Sequence, residues 1–132
     1  MRILIVDDDV DFSRLISVYL SPFGECEVAV NGHDAIESVR LAFEEEHPYD
    51  LICLDIMMPN LDGQDALKKI RDIEKEKGIC VGEGAKIIMI TALDDDDQIL
   101  VSFLRLCDSY LTKPFQKEDL FEKLREIELV SI

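Results

Sequence analysis

Five short apolar runs, Ile3 to Val6, Cys26 to Val30, Leu51 to Leu54, Ile87 to Ile90 and Tyr110 to Leu111, recur along the chain and read as strands. Between and after them apolar positions return at helical spacing. They are Phe12, Leu15, Ile16, Tyr19 and Leu20; Ala35, Ile36, Val39 and Phe43; Ala66, Leu67, Ile70 and Ile73; Ile99, Leu100, Phe103 and Leu104; and Leu120, Phe121, Leu124 and Ile127. Strand and helix therefore alternate five times. Strands apolar on both faces need cover on both sides, so the pattern predicts a doubly wound α/β architecture. Its sheet is five-stranded and parallel, its crossovers right-handed, and its helices lie on both faces.

Punctuation residues agree with this division. Ser21-Pro22-Phe23-Gly24 closes the first helix, Asn31-Gly32 opens the second, and His47-Pro48 ends it before the third strand. Pro114 breaks the chain after the fifth strand. The stretch 78–85 carries three glycines without periodicity and reads as a flexible connector of no evident role. At 132 residues the chain is expected to be one domain, 1–132, with one core.

Charge narrows the choice of function. Twenty-nine acids against 14 bases give a net charge of −15, which repels phosphate backbones and anionic lipid, so neither nucleic acid nor a membrane is expected as a direct partner. No apolar stretch approaches the roughly 20 residues of a membrane span, and MRILIVDDD lacks the features of a signal peptide, so a cytoplasmic location is expected. The cysteines at 26, 53, 80 and 107 form no CxxC pair and are expected to be small core hydrophobes. His33 and His47 are expected to face solvent.

The acids gather at the ends of apolar runs. In an open parallel sheet, functional groups collect outside the carboxyl ends of the strands, where strand order reverses. Asp7 and Asp8 follow the first predicted strand, Asp55 the third, Thr91 the fourth and Lys113 the fifth, which places all five on one edge. Two carboxylates ~5 Å apart repel by roughly 3 kcal/mol at an effective dielectric of 20, so three in one crevice require a counter-charge. A divalent cation supplies one, and Mg2+ suits carboxylate oxygens, waters and a phosphate better than zinc does. A cation, a lysine, a hydroxyl and a carboxylate together serve phosphoryl transfer onto Asp55, with Ala92 leaving room for the incoming group. Asp9 reads as a helix start, and Asp94 to Asp97 as acids complementing a helix N-terminus.

The run ILIVDDD, then LDIMMPNLDG, IMITA at 88–92 and YLTKPF at 110–115, in that order, resembles the response-regulator receiver domains of two-component signalling over nearly the whole chain. The resemblance implies a flavodoxin-like receiver fold of the stand-alone, chemotaxis-regulator-like type, without an output domain. It implies that Asp55 is the phosphoacceptor and that Asp7, Asp8 and the backbone carbonyl of Met57 hold Mg2+ with it. Thr91 and Lys113 would contact the phosphoryl group, Tyr110 would be the switch aromatic, and the Lys113-Pro114 bond would be cis. The phosphoryl donor would be a sensor histidine kinase or a histidine phosphotransfer protein. Output would be protein binding through the fourth helix, fifth strand and fifth helix, making the chain a phosphoacceptor regulator rather than an enzyme. Side chains two places after Asp55 and Thr91 tune hydrolysis in this family; here they are Met57 and Leu93, neither able to hold a water, so slow decay is expected. Three features depart from the family pattern: Leu106-Cys107 stands where a Gly-Ala pair is usual, the connector 78–85 is long, and Gln116 is a poor N-cap. Two alternatives stay open. A haloacid-dehalogenase-like phosphatase would need an acid at position 57, which is Met; a phosphorylation-independent scaffold or calcium buffer would not need Asp55.

Overall fold

Alternation within each strand sorts the apolar side chains into two cores, one on each side of the sheet. The computed structural model describes residues 1–55, 63–80, 82–92 and 106–129, with residues 63, 64 and 92 described in their backbone alone. Its elements are β1 (Arg2–Val6), α1 (Val10–Leu20), β2 (Glu25–Ala29), α2 (Gly32–Glu44), β3 (Leu51–Asp55), α3 (Gly63–Glu76), β4 (Lys86–Ala92), β5 (Ser109–Lys113) and α4 (Lys117–Glu126). The segment Ile99 to Leu104, which reads as the fourth helix, and the acids Asp94 to Asp97 lie outside the described residues. The helix labelled α4 is thus the fifth helical segment of the sequence.

The five strands form one sheet of order β2-β1-β3-β4-β5, and every neighbouring pair is parallel. This is the doubly wound α/β arrangement that the alternation of runs predicts. Leu4, Val6, Ile52, Leu54, Ile87 and Met89 face α2 and α3, while Ile3, Ile5, Leu51, Cys53, Ile88 and Ile90 face α1 and α4. Order reverses at β1, which has β2 on one side and β3 on the other, so the crevice opens at the carboxyl ends of β1 and β3.

Strand β2 departs from the expectation of strands apolar on both faces. Glu25 and Glu27 are exposed, as is Val28, because β2 is an edge strand, where charge discourages pairing with a second chain. Asp9 does start α1, accepting from the Asp11 and Phe12 amides at 3.1 and 3.2 Å, and Asn31 caps α2 by accepting from Asp34 at 2.8 Å. Helix α2 ends at Glu44, ahead of His47-Pro48. Glu46 turns into the left-handed region, φ 58°, and the His47 amide donates back to Ala42 at 3.0 Å. At α4 the weak cap Gln116 is compensated by Asp119, whose carboxylate accepts from the Gln116 amide at 2.9 Å. Of the four free thiols, Cys53 is buried, which pushes its pKa up to about 12. Cys26 and Cys107 are half-buried, and Cys80 is exposed, so the expectation of a core thiol fails there: it lies on the glycine-bearing connector. His33 and His47 are exposed as expected.

The connector 78–85 has a structural role that its composition conceals. Gly78 and Gly82 take positive φ, +80° and +89°, which other residues adopt with strain. The chain then lies across Glu74 of α3, which is 5 % exposed. Its carboxylate accepts from the Ala85 amide at 2.7 Å and from Arg71 at 2.7 Å. Arg71 also donates to the carbonyls of Leu106 (2.7 Å) and Ala85 (2.9 Å) and to Asp108 (3.1 Å), while Asp108 accepts from the Ile87 amide at 2.8 Å. At Leu106, where the family pattern has glycine, the carbonyl is thus satisfied by an arginine. A Cβ at Gly84 would fall on the Glu74 carboxylate, which Arg71 and Ala85 hold in place. Gly84→Ala is therefore expected to lower stability by about 1–3 kcal/mol, the range for a buried polar group deprived of a partner. The check is urea unfolding, read as a lower midpoint at unchanged slope.

Candidate functional site

Continuing each strand's alternation by one residue brings three charged groups to one face of the crevice. Asp7 follows Ile3 and Ile5, Asp55 follows Leu51 and Cys53, and Lys113 follows Leu111, all members of the α1 and α4 side. Asp7 is buried and tightly placed. Its amide donates to the Ala29 carbonyl (3.1 Å), its carboxylate accepts from the Asp9 amide (2.9 Å), and its carbonyl accepts from the buried Ser13 hydroxyl (3.4 Å). Asp8, between these anchors, is exposed. Asp55, the last residue of β3, is 6 % exposed.

Lys113 ends β5, two strands from Asp55 and so roughly 10 Å away across the sheet, a gap that a long side chain must span. Its Nζ stands 3.1 Å from Asp7 Oδ2 and 3.5 Å from Asp55 Oδ2. Partial burial works against the ammonium. The hydrogen bond it donates to Asp7 and the attraction of Asp55 and Asp7 outweigh it, and the Lys113 pKa is raised. The aromatic face of Phe12 lies on the same ammonium, 4.2 Å from centroid to Nζ. The Lys113-Pro114 bond is cis, as the resemblance implies.

Oxygens of Asp7, Asp8 and Asp55 lie within 4.8 Å of one another. Oxygens on opposite sides of one Mg2+ are about 4.2 Å apart, so a small side-chain adjustment lets all three carboxylates face a single hard cation. The donor set fits, being all oxygen and without a histidine or thiol among these three. Thr91, near the end of β4 and opposite Thr112 of β5, is 3 % exposed. Tyr110 is 40 % exposed, with Lys123 Nζ 5.8 Å from its ring centroid. Thr91 therefore already lies inside the sheet edge while Tyr110 lies outside it. Ala92 ends β4 opposite Lys113. Met57 and Leu93 lie outside the described residues.

Sequence reasoning missed Ser13 and Phe12 as parts of this site. Ser13 carried one signal, a hydroxyl at an otherwise buried helical position; Phe12 fits the apolar helical period and carried none.

The family model for the response regulator receiver domain matches residues 3–125. Among curated proteins, the chain is 35 % identical over 127 residues to the probable transcriptional regulator ycf27 of Cyanophora paradoxa, covering 96 % of this chain and 47 % of that protein. It is 29 % identical to the chemotaxis protein CheY of Treponema pallidum, covering 96 % of this chain and 81 % of that one. A CheY-like response regulator receiver domain protein from Methanospirillum hungatei superposes with a TM-score of 0.71 at 32 % identity, over 92 % of this chain and 89 % of the other. The chain spans about half the length of the transcriptional regulators it resembles.

The raised pKa of Lys113 has a definite pH consequence. Its ion pairs stabilise the fold in full below the ordinary value of 10.5 and are lost as pH rises through the folded-state value. In EDTA, the stability difference between wild type and Lys113→Met is expected to stay constant from about pH 8 to 10 and to shrink above that. Chemical denaturation at a series of pH values measures it; a difference that grew with alkalinity would contradict the assignment.

Proposed function

Because this chain belongs to the response regulator receiver domain family of two-component signalling, we propose that it is a phosphoaspartate switch whose acceptor is Asp55. The observation that carries this reading is a single ammonium, Lys113, within 3.1 Å of Asp7 and 3.5 Å of Asp55, beside a third carboxylate. An Asp55 oxygen attacks phosphorus in line, the bond from phosphorus to the donor's imidazole nitrogen breaks, and the imidazole leaves with the electron pair. Lys113 neutralises charge on the phosphoryl oxygens, and the Thr91 hydroxyl donates to one of them. Asp7, Asp8 and Asp55 would hold Mg2+, together with the Met57 carbonyl that the family resemblance implies, and the ion would supply the remaining positive charge.

The donor is a sensor histidine kinase or a histidine phosphotransfer protein. Its phosphohistidine must come within bonding distance of Asp55, so it covers the rim of the crevice, where Val10, the first residue of α1, presents an apolar side chain to solvent. Output is protein binding through β5, α4 and the segment between β4 and β5. Once the phosphoryl group engages Thr91, Tyr110 turns inward from its exposed position and changes that surface.

Incubation with acetyl phosphate and MgCl2 is expected to add about 80 Da to the intact mass, as one phosphoryl group does. Asp55→Asn, or EDTA, is expected to abolish the addition. Equal labelling of Asp55→Asn would refute the assignment. Because Met57 and Leu93, two places after Asp55 and Thr91 in the sequence, are both apolar, the phosphoaspartate is expected to last for minutes or longer. Loss of the added mass within a few seconds of donor removal would contradict that.

A further inference from the structure

The third contact of Lys113 is the unexplained one. Phe12, in the first turn of α1, presents its ring to the ammonium at 4.2 Å and meets Phe115 edge-on, with ring centroids 5.7 Å apart and planes at 84°. Both rings are only partly buried, at the margin of the core beneath α1 and α4. The Phe12 backbone is itself fixed, because its amide donates to Asp9, whose own amide donates to Asp7. A closed circuit results: Asp7 to Asp9, Asp9 to Phe12, Phe12 to Lys113, and Lys113 back to Asp7. Lysine is a flexible four-carbon stem, and its 3.5 Å approach to Asp55 is at the outer limit of a hydrogen bond. Two carboxylates alone would let the ammonium follow either one. An aromatic face on a third side attracts the cation without competing for a particular N–H direction.

We propose that Phe12 is a positioning residue: its ring, braced by Phe115, holds the Lys113 ammonium at the mouth of the crevice between Asp7 and Asp55. The consequence for transfer rests on the reading of Asp55 as phosphoacceptor; the placement of the ammonium does not. An aliphatic side chain at position 12 would fill similar space and leave the cation unheld. An aromatic one would restore it.

Two measurements test this on the full chain. In the first, without metal or donor, NMR reads the Lys113 ε-methylene protons. They are expected to be shifted upfield by the ring in wild type and in Phe12→Tyr, and to return to the ordinary lysine position in Phe12→Leu. In the second, phenylalanine analogues with increasing ring fluorination replace Phe12, which weakens the ring's attraction for cations with little change of shape. Labelling by acetyl phosphate is expected to slow stepwise along the series, about fivefold in all, which corresponds to ~1 kcal/mol. Phe12→Tyr should label at nearly the wild-type rate. An unshifted ε-methylene in wild type overturns the placement, and a flat fluorination series overturns its role in transfer. A shifted ε-methylene in a wild-type protein that takes up no phosphoryl group supports the placement and refutes the phosphoacceptor reading instead.

Discussion

One ammonium, that of Lys113, makes the carboxyl edge of this sheet possible. Asp7 and Asp55 are both buried on the same face, and carboxylates this close repel by roughly 3 kcal/mol even at an effective dielectric of 20. Lys113 meets both at once, and its own pKa rises because it does. The site is thereby poised. Its acids are balanced well enough to let the chain fold, yet the third acid, Asp8, still faces solvent and keeps the crevice open to a further cation.

The same economy of cations governs the rest of the molecule. With a net charge of −15, the chain repeatedly sets two carboxylates on one base: Asp7 and Asp55 on Lys113, Glu74 and Asp108 on Arg71, Glu27 and Glu45 on Arg2. The two arginines do structural work on the opposite side of the sheet from the crevice. Arg71 binds α3, the connector and the residues before β5 through a guanidinium whose planar fork suits several acceptors. Arg2 ties the start of β1 to the β2 edge and to the carbonyl of His47. In the proposed function, chemistry falls to the lysine. Rigidity falls to the arginines.

How much of this was legible depends on whether the signal was local. Continuous apolar runs and the 3.6-residue period reported the described elements to within a few residues, because each reflects which side chains face a core. Asp9 and Asn31 announced their caps, since a short oxygen-bearing side chain before an apolar period has few other uses. The end of α2 was misplaced at His47-Pro48 because a left-handed Glu46 is an uncommon stop that composition does not announce. The connector 78–85 looked featureless, since its purpose, lying over Glu74 and satisfying that carboxylate, exists only once α3 and β4 are packed together. Phe12 was counted as an ordinary core position, as helical periodicity cannot distinguish a ring that meets leucine from one that meets an ammonium.

By itself the sequence determined the order of the elements, the parallel sense of the sheet, and the edge at which the acids, the threonine and the lysine would stand. These follow from local sterics and from counting along the chain. Only the tertiary structure decided which of those groups touch. Lys113 reaches Asp7 across 106 positions of sequence and Asp55 across 58, and neither distance is encoded in any short stretch. Register and strand order set these contacts. Both are fixed only when two cores, on opposite faces of one sheet, are packed at once.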